Sequence, residues 1–251
     1  MQLATLTEMT QRVSTVRSRI ADACAAAGRD ESEITLVAAS KTRTAEEVLL
    51  ALEAGIANFG ENRPEEAASK ISEVNTLAQS RGLPPPSWHM IGHVQGRKAR
   101  LVVGPYCLIH SLDSYSLAAR LDRLAAAQGI VLPVLLEVNT SEEPNKYGLP
   151  GPSGDGLPAP AFLAALDAIL PLGNLRLLGL MTMAAPVPVS SQARPYFRKL
   201  FLLREWLRQH YPNVEWQHLS MGMSDDYDAA IAEGATIVRI GRAIFGERRV
   251  A

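Results

Sequence analysis

Lys41 is the residue of this sequence whose position most clearly indicates a chemical role. It stands at the C-terminal end of the stretch 34–43, whose apolar run has the length and continuity of a buried parallel strand. In α/β sheets and barrels the chemistry is done at the carboxyl ends of such strands. A lysine there loses part of its solvation, which favours the neutral amine that forms a Schiff base with a carbonyl compound. The alternative is a strand-end lysine whose ammonium group simply reaches water.

Two glycine-containing junctions near the C-terminus could bind an anion. Leu219-Ser220-Met221-Gly222-Met223-Ser224 leads from a predicted strand to a helix, and Val238-Arg239-Ile240-Gly241-Arg242 follows the last strand. Barrel phosphate sites are commonly built from such loops and the N-terminus of a short helix. Ser224 would offer a hydroxyl, and Gly241 would let the backbone approach closely. Alternatively, Ser224 is only an N-cap and Gly241 only a tight turn, and Asp225-Asp226 oppose an anion unless they point outward.

A Schiff-base lysine and a phosphate cradle at one barrel mouth would together suit a single ligand. Pyridoxal 5′-phosphate (PLP) carries an aldehyde and a phosphate on one ring. The residues therefore predict PLP as the cofactor.

The composition limits the other classes of function. The chain has 251 residues, 47% of them hydrophobic, and a net charge of -1, which gives no electrostatic case for nucleic acid. No apolar run approaches the roughly 20 residues that span a bilayer, and residues 1–19 lack a signal-peptide core. Cys24 and Cys107 are far apart and lack metal-type spacing. We expect no disulfide framework, no membrane and a cytoplasmic location.

The elements that must position these groups alternate between strands and helices along the chain. The helix at 6–27 comes before the first strand, and Thr44 with Glu47 forms a capping-box pattern at the start of the next helix. The segment 142–160 is rich in proline and glycine and is predicted to be irregular. The predicted strands are the stretch 34–43, then 57–60, 88–92, 106–110, 130–139, 175–183, 214–219 and 235–240. The later predicted helices are 64–77, 95–103, 115–128, 161–170, 193–210, 225–233 and a turn at 242–245.

This alternation predicts the fold class α/β, as a single-domain (β/α)8 TIM barrel over residues 1–251 with an extra N-terminal helix. In such a barrel all strand ends face one mouth. The predicted strand-end residues are Lys41, Asn62, His93, Asp113, Asn139, Met181 to Met183, Ser220 and Arg239.

Several motifs resemble those of the pyridoxal phosphate homeostasis protein family, which is related to the N-terminal barrel of alanine racemase. The motifs occur in the family's order and cover essentially the whole chain. They are Val37-Ala38-Ala39-Ser40-Lys41-Thr42, Phe59-Gly60-Glu61-Asn62, Trp88-His89-Met90-Ile91-Gly92, Gly179-Leu180-Met181, Leu219 to Asp226 and Val238 to Gly246.

The resemblance implies a role for each of seven residues. Lys41 would carry PLP as an internal aldimine, and Arg239 would face the pyridine nitrogen. Ser224 and the backbone of Gly241 and Arg242 would hold the phosphate. Asn62 would lie near the ring, and Met181 would line the pocket.

The sequence departs from the family pattern at three places. Arg242 stands where many relatives have threonine or serine, so a hydroxyl contact to phosphate is lost. Gly96-Arg97-Lys98 replaces the more usual Ser-Asn-Lys, and the insertion after Asn145-Lys146-Tyr147-Gly148 is longer than usual. Lys146 could lie near the mouth, although a solvated loop lysine is the simpler interpretation.

A carrier fits the sequence better than an enzyme. Arg239 can only donate, so the pyridine nitrogen should stay unprotonated and the ring should be a weak electron sink. By resemblance, a racemase would need a tyrosine from a second β-domain, and none is expected after Glu247. Tyr115, Tyr147 and Tyr227 are more simply packing or surface residues.

We therefore expect a cofactor-binding and delivery protein with no catalytic residues, acting as a monomer that supplies PLP-dependent apo-enzymes. The alternative is a slow single-domain amino-acid racemase or another PLP enzyme. A Schiff-base aldolase would leave the glycine junctions and Arg239 unexplained.

Overall fold

A computed structural model describes residues 4–143 and 145–247. The end of the chain after Glu247, where no second domain is expected, lies outside the described residues.

Eight parallel strands close into a barrel, which confirms the predicted fold class. The ring order is β1-β2-β3-β4-β5-β7-β8-β9, and β9 pairs with β1 to close it. A ninth, two-residue strand, β6, pairs with β5 outside the ring. The strands are β1 Thr35–Ala39, β2 Asn58–Glu61, β3 Ser87–Met90, β4 Leu108–Leu112, β5 Leu132–Asn139, β6 Leu149–Pro150, β7 Leu175–Met181, β8 His218–Ser220 and β9 Ile237–Ile240.

Helices surround the barrel in the alternation that the sequence predicts. The extra N-terminal helix covers the side of the barrel, where it packs against α2, α7 and α8. Thr44 and Glu47 form the predicted capping box at the start of α2, the helix that follows Lys41. The helices are α1 Leu6–Ala26, α2 Ala45–Glu53, α3 Pro64–Ser80, α4 Tyr115–Gln128, α5 Pro160–Ile169, α6 Arg194–His210, α7 Tyr227–Ala232 and α8 Arg242–Phe245.

Two packed regions hold the barrel together. The larger lies between the strands and the helices and contains most of the buried apolar residues. The smaller fills the barrel interior with Val37, Ile91, Leu108, Leu135, Met181 and Ile237. Side chains that alternate with the outward-facing ones therefore point to the barrel axis, and those near the strand ends reach the mouth.

The predicted strand at 214–219 is wrong over residues 214–217. β8 begins only at His218, because residues 214–217 form tight turns. The Trp216 N–H donates to the Val214 carbonyl at 3.0 Å, and the Trp216 indole N–H donates to the Tyr211 carbonyl at 3.1 Å. The first of these bonds uses the backbone N–H of Trp216, which in a strand would donate to the neighbouring strand.

Two further predictions differ in type. The predicted helix at 95–103 is a 3₁₀ helix, Gly96–Leu101, and Gln95 at its N-cap position provides no side-chain cap. The predicted irregular segment 142–160 contains β6, whose two residues pair with Val138 and Asn139. Two residues are too few to produce a periodic pattern in the sequence.

Among the described residues, none of the helices combines the length and the apolar character needed to cross a membrane.

Candidate functional site

Five of the seven predicted site residues line one cavity at the barrel mouth. The cavity has a volume of about 500 Å³, within the range typical of small-molecule sites. It lies where the loops after β1, β8 and β9 meet. The five residues are Lys41, Ser224, Arg239, Gly241 and Arg242.

β1 ends at Ala39, and Lys41 lies in the tight turn that follows it. Thr42 has a φ of 65°, in the left-handed region, and Arg43 N–H donates to the Ser40 carbonyl at 3.0 Å. The buried Ser40 hydroxyl donates to Glu61 Oε1 at 2.7 Å. The backbone on the N-terminal side of Lys41 is thus fixed, while the half-buried side chain reaches the cavity.

A second lysine contacts the same two residues, Ser40 and Glu61. Lys70 Nζ donates to Glu61 Oε1 at 2.7 Å and to the Ser40 carbonyl at 3.0 Å. This ion pair neutralises the buried Glu61 carboxylate behind the turn.

Arg239 projects inward from β9, with only 4% of its surface exposed. Nη1 donates to Ser220 Oγ at 2.6 Å and Nη2 donates to the Thr182 carbonyl at 2.9 Å. Burial lowers the pKa of Arg239 to about 10, while nearby Glu137 and Asp226 oppose the shift. The guanidinium therefore stays protonated at neutral pH and is held by two bonds.

The anion-binding corner is built where two loops meet. Gly222 has a φ of 94°, and a Cβ there would lie 2.9 Å from Tyr227 Cα, so this junction requires glycine. Ser224 does not cap α7, whose N-cap position is Asp226. Its hydroxyl instead accepts from the Ala243 N–H in α8 at 3.4 Å. A Cβ on Gly241 would lie 3.3 Å from the Ala39 carbonyl oxygen, so a side chain would crowd this corner.

Cationic side chains outnumber anionic ones around the cavity. The lining carboxylates are Asp225 and Glu247, and Asp225 forms a close ion pair with Arg242. Asp226 accepts from the Met223 N–H at 2.6 Å. Among the described residues, the basic side chains that line the cavity are Lys41, Arg43, Arg239 and Arg242; they outnumber the two carboxylates, which favours an anionic ligand.

The other two predicted residues do not line this cavity. Met181 is buried at the end of β7 and packs inside the barrel. Asn62 is half-buried after β2, and its Oδ1 is a buried atom that accepts no hydrogen bond within the described residues.

Lys146 and the candidate tyrosines lie elsewhere. Lys146 pairs with Glu143 at 3.0 Å and lines a separate cavity with His93. Tyr147 stacks on the His93 ring, with ring centroids 3.7 Å apart. Tyr115 is exposed, and Tyr227 is fully buried.

Sequence reasoning assigned no site role to the other six residues that line the cavity, which are Ala39, Arg43, Met223, Asp225, Gly246 and Glu247. Arg43 is buried and donates to the carbonyls of Gly246 at 2.6 Å and Glu247 at 3.0 Å, which tethers the segment after α8. Its place two residues after Lys41, in the turn at the end of the same strand, was a usable signal.

Comparison with known sequences identifies the family. The sequence model described as alanine racemase, N-terminal domain, matches residues 6–249. The chain is 41% identical over 240 residues to the pyridoxal phosphate homeostasis protein of Aquifex aeolicus, covering 95% of this chain and 98% of that one. It is 38% identical over 245 residues to the protein of the same name from Escherichia coli K12, covering 97% and 98%.

Solved structures agree with this grouping. PipY from Synechococcus elongatus, solved with PLP bound, matches with a TM-score of 0.76 and 31% identity, covering 95% of this chain and all of that one. An alanine racemase from Clostridium difficile shares the fold, with a TM-score of 0.66 and 13% identity over 58% of its own length. The chain therefore belongs to the alanine racemase N-terminal domain family and, within it, to the pyridoxal phosphate homeostasis proteins.

Proposed function

We propose that this protein binds PLP in the mouth cavity and serves in vitamin B6 homeostasis as a carrier without a reaction of its own. One observation carries the proposal: a lysine, a hydroxyl beside a helix start and a buried arginine line the same cavity. The membership in a family of PLP homeostasis proteins supports it.

The residues that line the cavity fit three polar groups of the cofactor: its aldehyde, its phosphate and its ring nitrogen. When bound, PLP supplies an aldehyde that forms an imine bond with a lysine amine. Lys41 Nζ would make that bond, while Ser224 and the backbone at Gly241 and Arg242 would bind the phosphate. Asn62 does not line this cavity, so its predicted place near the ring gains no support from the cavity lining.

Arg239 would hold the ring nitrogen in its unprotonated form. Its guanidinium only donates and remains charged at neutral pH. A donor facing the nitrogen leaves no proton on it, which weakens withdrawal of electrons into the ring. This arrangement disfavours reactions that need strong carbanion stabilisation.

The side chains around the cavity also argue for a carrier. Racemisation needs a base on one face of the substrate and an acid on the other. Among the described residues that line the cavity, there is no tyrosine and no histidine. Lys41 could serve one face, and the proposal leaves the opposite face without such a partner.

Incubation with amino acids tests this function. Purified protein loaded with PLP is expected to bind it in a form that borohydride reduces, yet to turn over neither L- nor D-alanine. Chiral analysis and keto-acid detection are the measurements. Typical enzymes turn over at roughly 1–1000 per second, so a rate in that range that requires Lys41 would make the protein a racemase or another PLP enzyme.

The phosphate corner leads to a prediction about affinity. Gly241→Val should weaken PLP binding by at least about tenfold, or about 1.4 kcal/mol, because the side chain pushes on Ala39 and fills the corner. Arg242→Thr should have a smaller effect, because Arg242 is half-exposed and already paired with Asp225. Titration of PLP followed by absorbance measures both.

Melting temperatures provide the control for that experiment. A ligand that binds only the folded state raises its stability. PLP should raise the melting temperature clearly more than unphosphorylated pyridoxal does, and Ser224→Ala should reduce the difference. Equal shifts for the two ligands would argue against a phosphate site here.

We propose that the protein acts as a monomer in a reducing cytoplasm and supplies PLP to apo-enzymes. Cys24 and Cys107 are both free thiols, as a reducing compartment requires. Size-exclusion chromatography with light scattering tests the monomer. Reactivation of a PLP-dependent apo-enzyme by the loaded protein, faster than by the same concentration of free PLP, tests delivery.

A further inference from the structure

We propose that Ser220, His110 and His89 form a buried hydrogen-bond chain of fixed direction that positions the guanidinium of Arg239. The three are positioning residues, because they act on the cavity only through that arginine. The part of this inference that concerns PLP rests on the proposed function, whereas the direction of the chain does not.

The chain crosses the barrel interior from the mouth toward the other end. Arg239 Nη1 lies 2.6 Å from Ser220 Oγ, which lies 2.8 Å from His110 Nδ1. His110 Nε2 lies 3.0 Å from His89 Nδ1 on the next ring. His89 Nε2 then lies 3.2 Å from Asn58 Oδ1. The five side chains come from β9, β8, β4, β3 and β2, so the chain joins five strands of the barrel.

The arginine sets the direction of every bond in the chain. A guanidinium can only donate, so Ser220 Oγ accepts from Arg239. The Ser220 hydroxyl hydrogen is then available to His110 Nδ1, which must be the unprotonated nitrogen. A neutral His110 consequently carries its proton on Nε2 and donates to His89 Nδ1. His89 carries its proton on Nε2 in turn and donates to Asn58 Oδ1.

The reverse direction leaves a buried donor unsatisfied. If His110 donated from Nδ1, Ser220 Oγ would accept two hydrogen bonds, and its own hydrogen would need another acceptor. Ser220 is fully buried, and among the described residues its hydroxyl contacts only Arg239 and His110. Asn58 would also have to turn its amide nitrogen toward His89. Burial makes an unpaired hydroxyl costly, so the forward direction is the stable one.

Both histidines are neutral in this environment, as the chain requires. Burial lowers the pKa of His89 to about 4, with a contribution from His218. The pKa of His110 lies well below its ordinary value, because the ring is completely buried and lies near His89, Arg239 and His218. A positively charged His110 would donate from both ring nitrogens. Ser220 Oγ would then accept from His110 as well as from Arg239, and its own hydrogen would lack an acceptor.

The chain has a clear structural consequence at the cavity. The interior side chains of Val37, Leu108 and Leu135 are apolar and could not hold a guanidinium, whereas the buried Glu137 is a charged neighbour of Arg239. Ser220 and the Thr182 carbonyl are the two acceptors that orient Arg239. Because Ser220 is itself held by His110, the arginine cannot rotate without breaking a buried bond behind it.

Histidine ¹⁵N NMR of the cofactor-free protein tests the direction. At pH 7, His110 and His89 should each show an unprotonated Nδ1 and a protonated Nε2. The assignment would use His110→Gln and His89→Gln spectra. A protonated Nδ1 on His110, whether in the other tautomer or in the charged ring, would overturn the inference.

Ser220→Ala tests positioning, with Ser111→Ala as its matched control. Ser111 is also fully buried and donates to the Gly92 carbonyl at 2.6 Å, outside the chain. Ser220→Ala should weaken PLP binding about tenfold, shift the absorption maximum of the bound cofactor and release the fixed tautomer of His110. Ser111→Ala should cause none of these changes. Ser220→Thr retains the hydroxyl, so its PLP affinity, absorption maximum and His110 tautomer should match those of the wild-type protein.

The outcomes separate the two ideas. If the wild-type protein does not bind PLP, the proposed function fails while the tautomers still decide the direction of the chain. If Ser220→Ala matches Ser111→Ala in affinity, absorption maximum and His110 tautomer, the positioning role is wrong. If Ser220→Ala does not fold, Ser220→Thr carries the test, and a mixed His110 tautomer in that variant would contradict the inference.

Discussion

Replacing Lys41 by alanine is expected to abolish the covalent attachment of PLP and to weaken binding by at least about 100-fold, or about 2.7 kcal/mol. The amine is lost, while the phosphate corner and Arg239 remain. The fold should persist, because the side chain lies in a turn at the cavity and belongs to neither packed region. The measurement is absorbance of the PLP-loaded protein before and after borohydride, followed by mass analysis of its peptides.

Lys41→Arg separates the role of the amine from that of the charge. Arginine keeps a positive charge in the cavity but cannot form the imine bond, so it should retain more phosphate-driven binding than alanine without any reducible link. Lys146→Ala is the matched control, and it should leave the link intact. A normal reducible link in Lys41→Ala would refute the assignment, and Lys146 would then be the first lysine to examine.

The sequence was sufficient to predict the barrel and the mouth, for reasons visible in particular elements. Apolar runs such as the one in β1 are continuous because a barrel strand is covered on both faces. Capping at Thr44 and the proline that begins α3 marked helix starts. Since parallel strands all end at one mouth, Lys41 and Arg239 could be placed together without any distance being known.

Features that depend on contacts between distant residues could not be predicted in this way. The bond between His110 and Ser220 joins positions 110 residues apart, and its partners were visible only as parts of unrelated motifs. Met181 was placed at the mouth by position, but the packing of the barrel interior decides where its side chain lies. β8 starts late because the turns at Trp216 override an apolar pattern that local sequence could not distinguish from a strand.

Glu137 provides the second large expected effect, on stability. It projects inward from β5 with 3% of its surface exposed, and its Oε2 is buried without a hydrogen bond from the described residues. Burial and the nearby Asp113 raise its pKa from 4.5 to about 7, although Arg239 partly opposes the shift. At about 1.4 kcal/mol per unit, this shift corresponds to a cost of about 3 kcal/mol when the group is ionised in the folded protein.

The sign of the pH dependence follows from proton uptake. Between pH 4.5 and 7 the folded state keeps a proton on Glu137 that the unfolded chain has lost, so this group's contribution to the free energy of unfolding falls as pH rises. Below pH 4.5 both states are protonated, and the cost is absent. Buried histidines such as His89, with their lowered pKa values, act in the opposite sense, so a comparison with a variant is needed.

Glu137→Gln removes the titrating group and should change the stability profile accordingly. The cofactor-free variant should match the wild-type protein in free energy of unfolding at pH 4.5 and exceed it by up to about 3 kcal/mol at pH 8. The difference should develop mainly between pH 5 and 7.5, because the histidines titrate equally in both proteins. Urea unfolding at a series of pH values measures it, with exposed Glu73→Gln as the control for loss of one carboxylate. Parallel curves for wild type and Glu137→Gln would mean that Glu137 ionises normally, and a variant less stable at every pH would mean that its carboxylate stabilises Arg239.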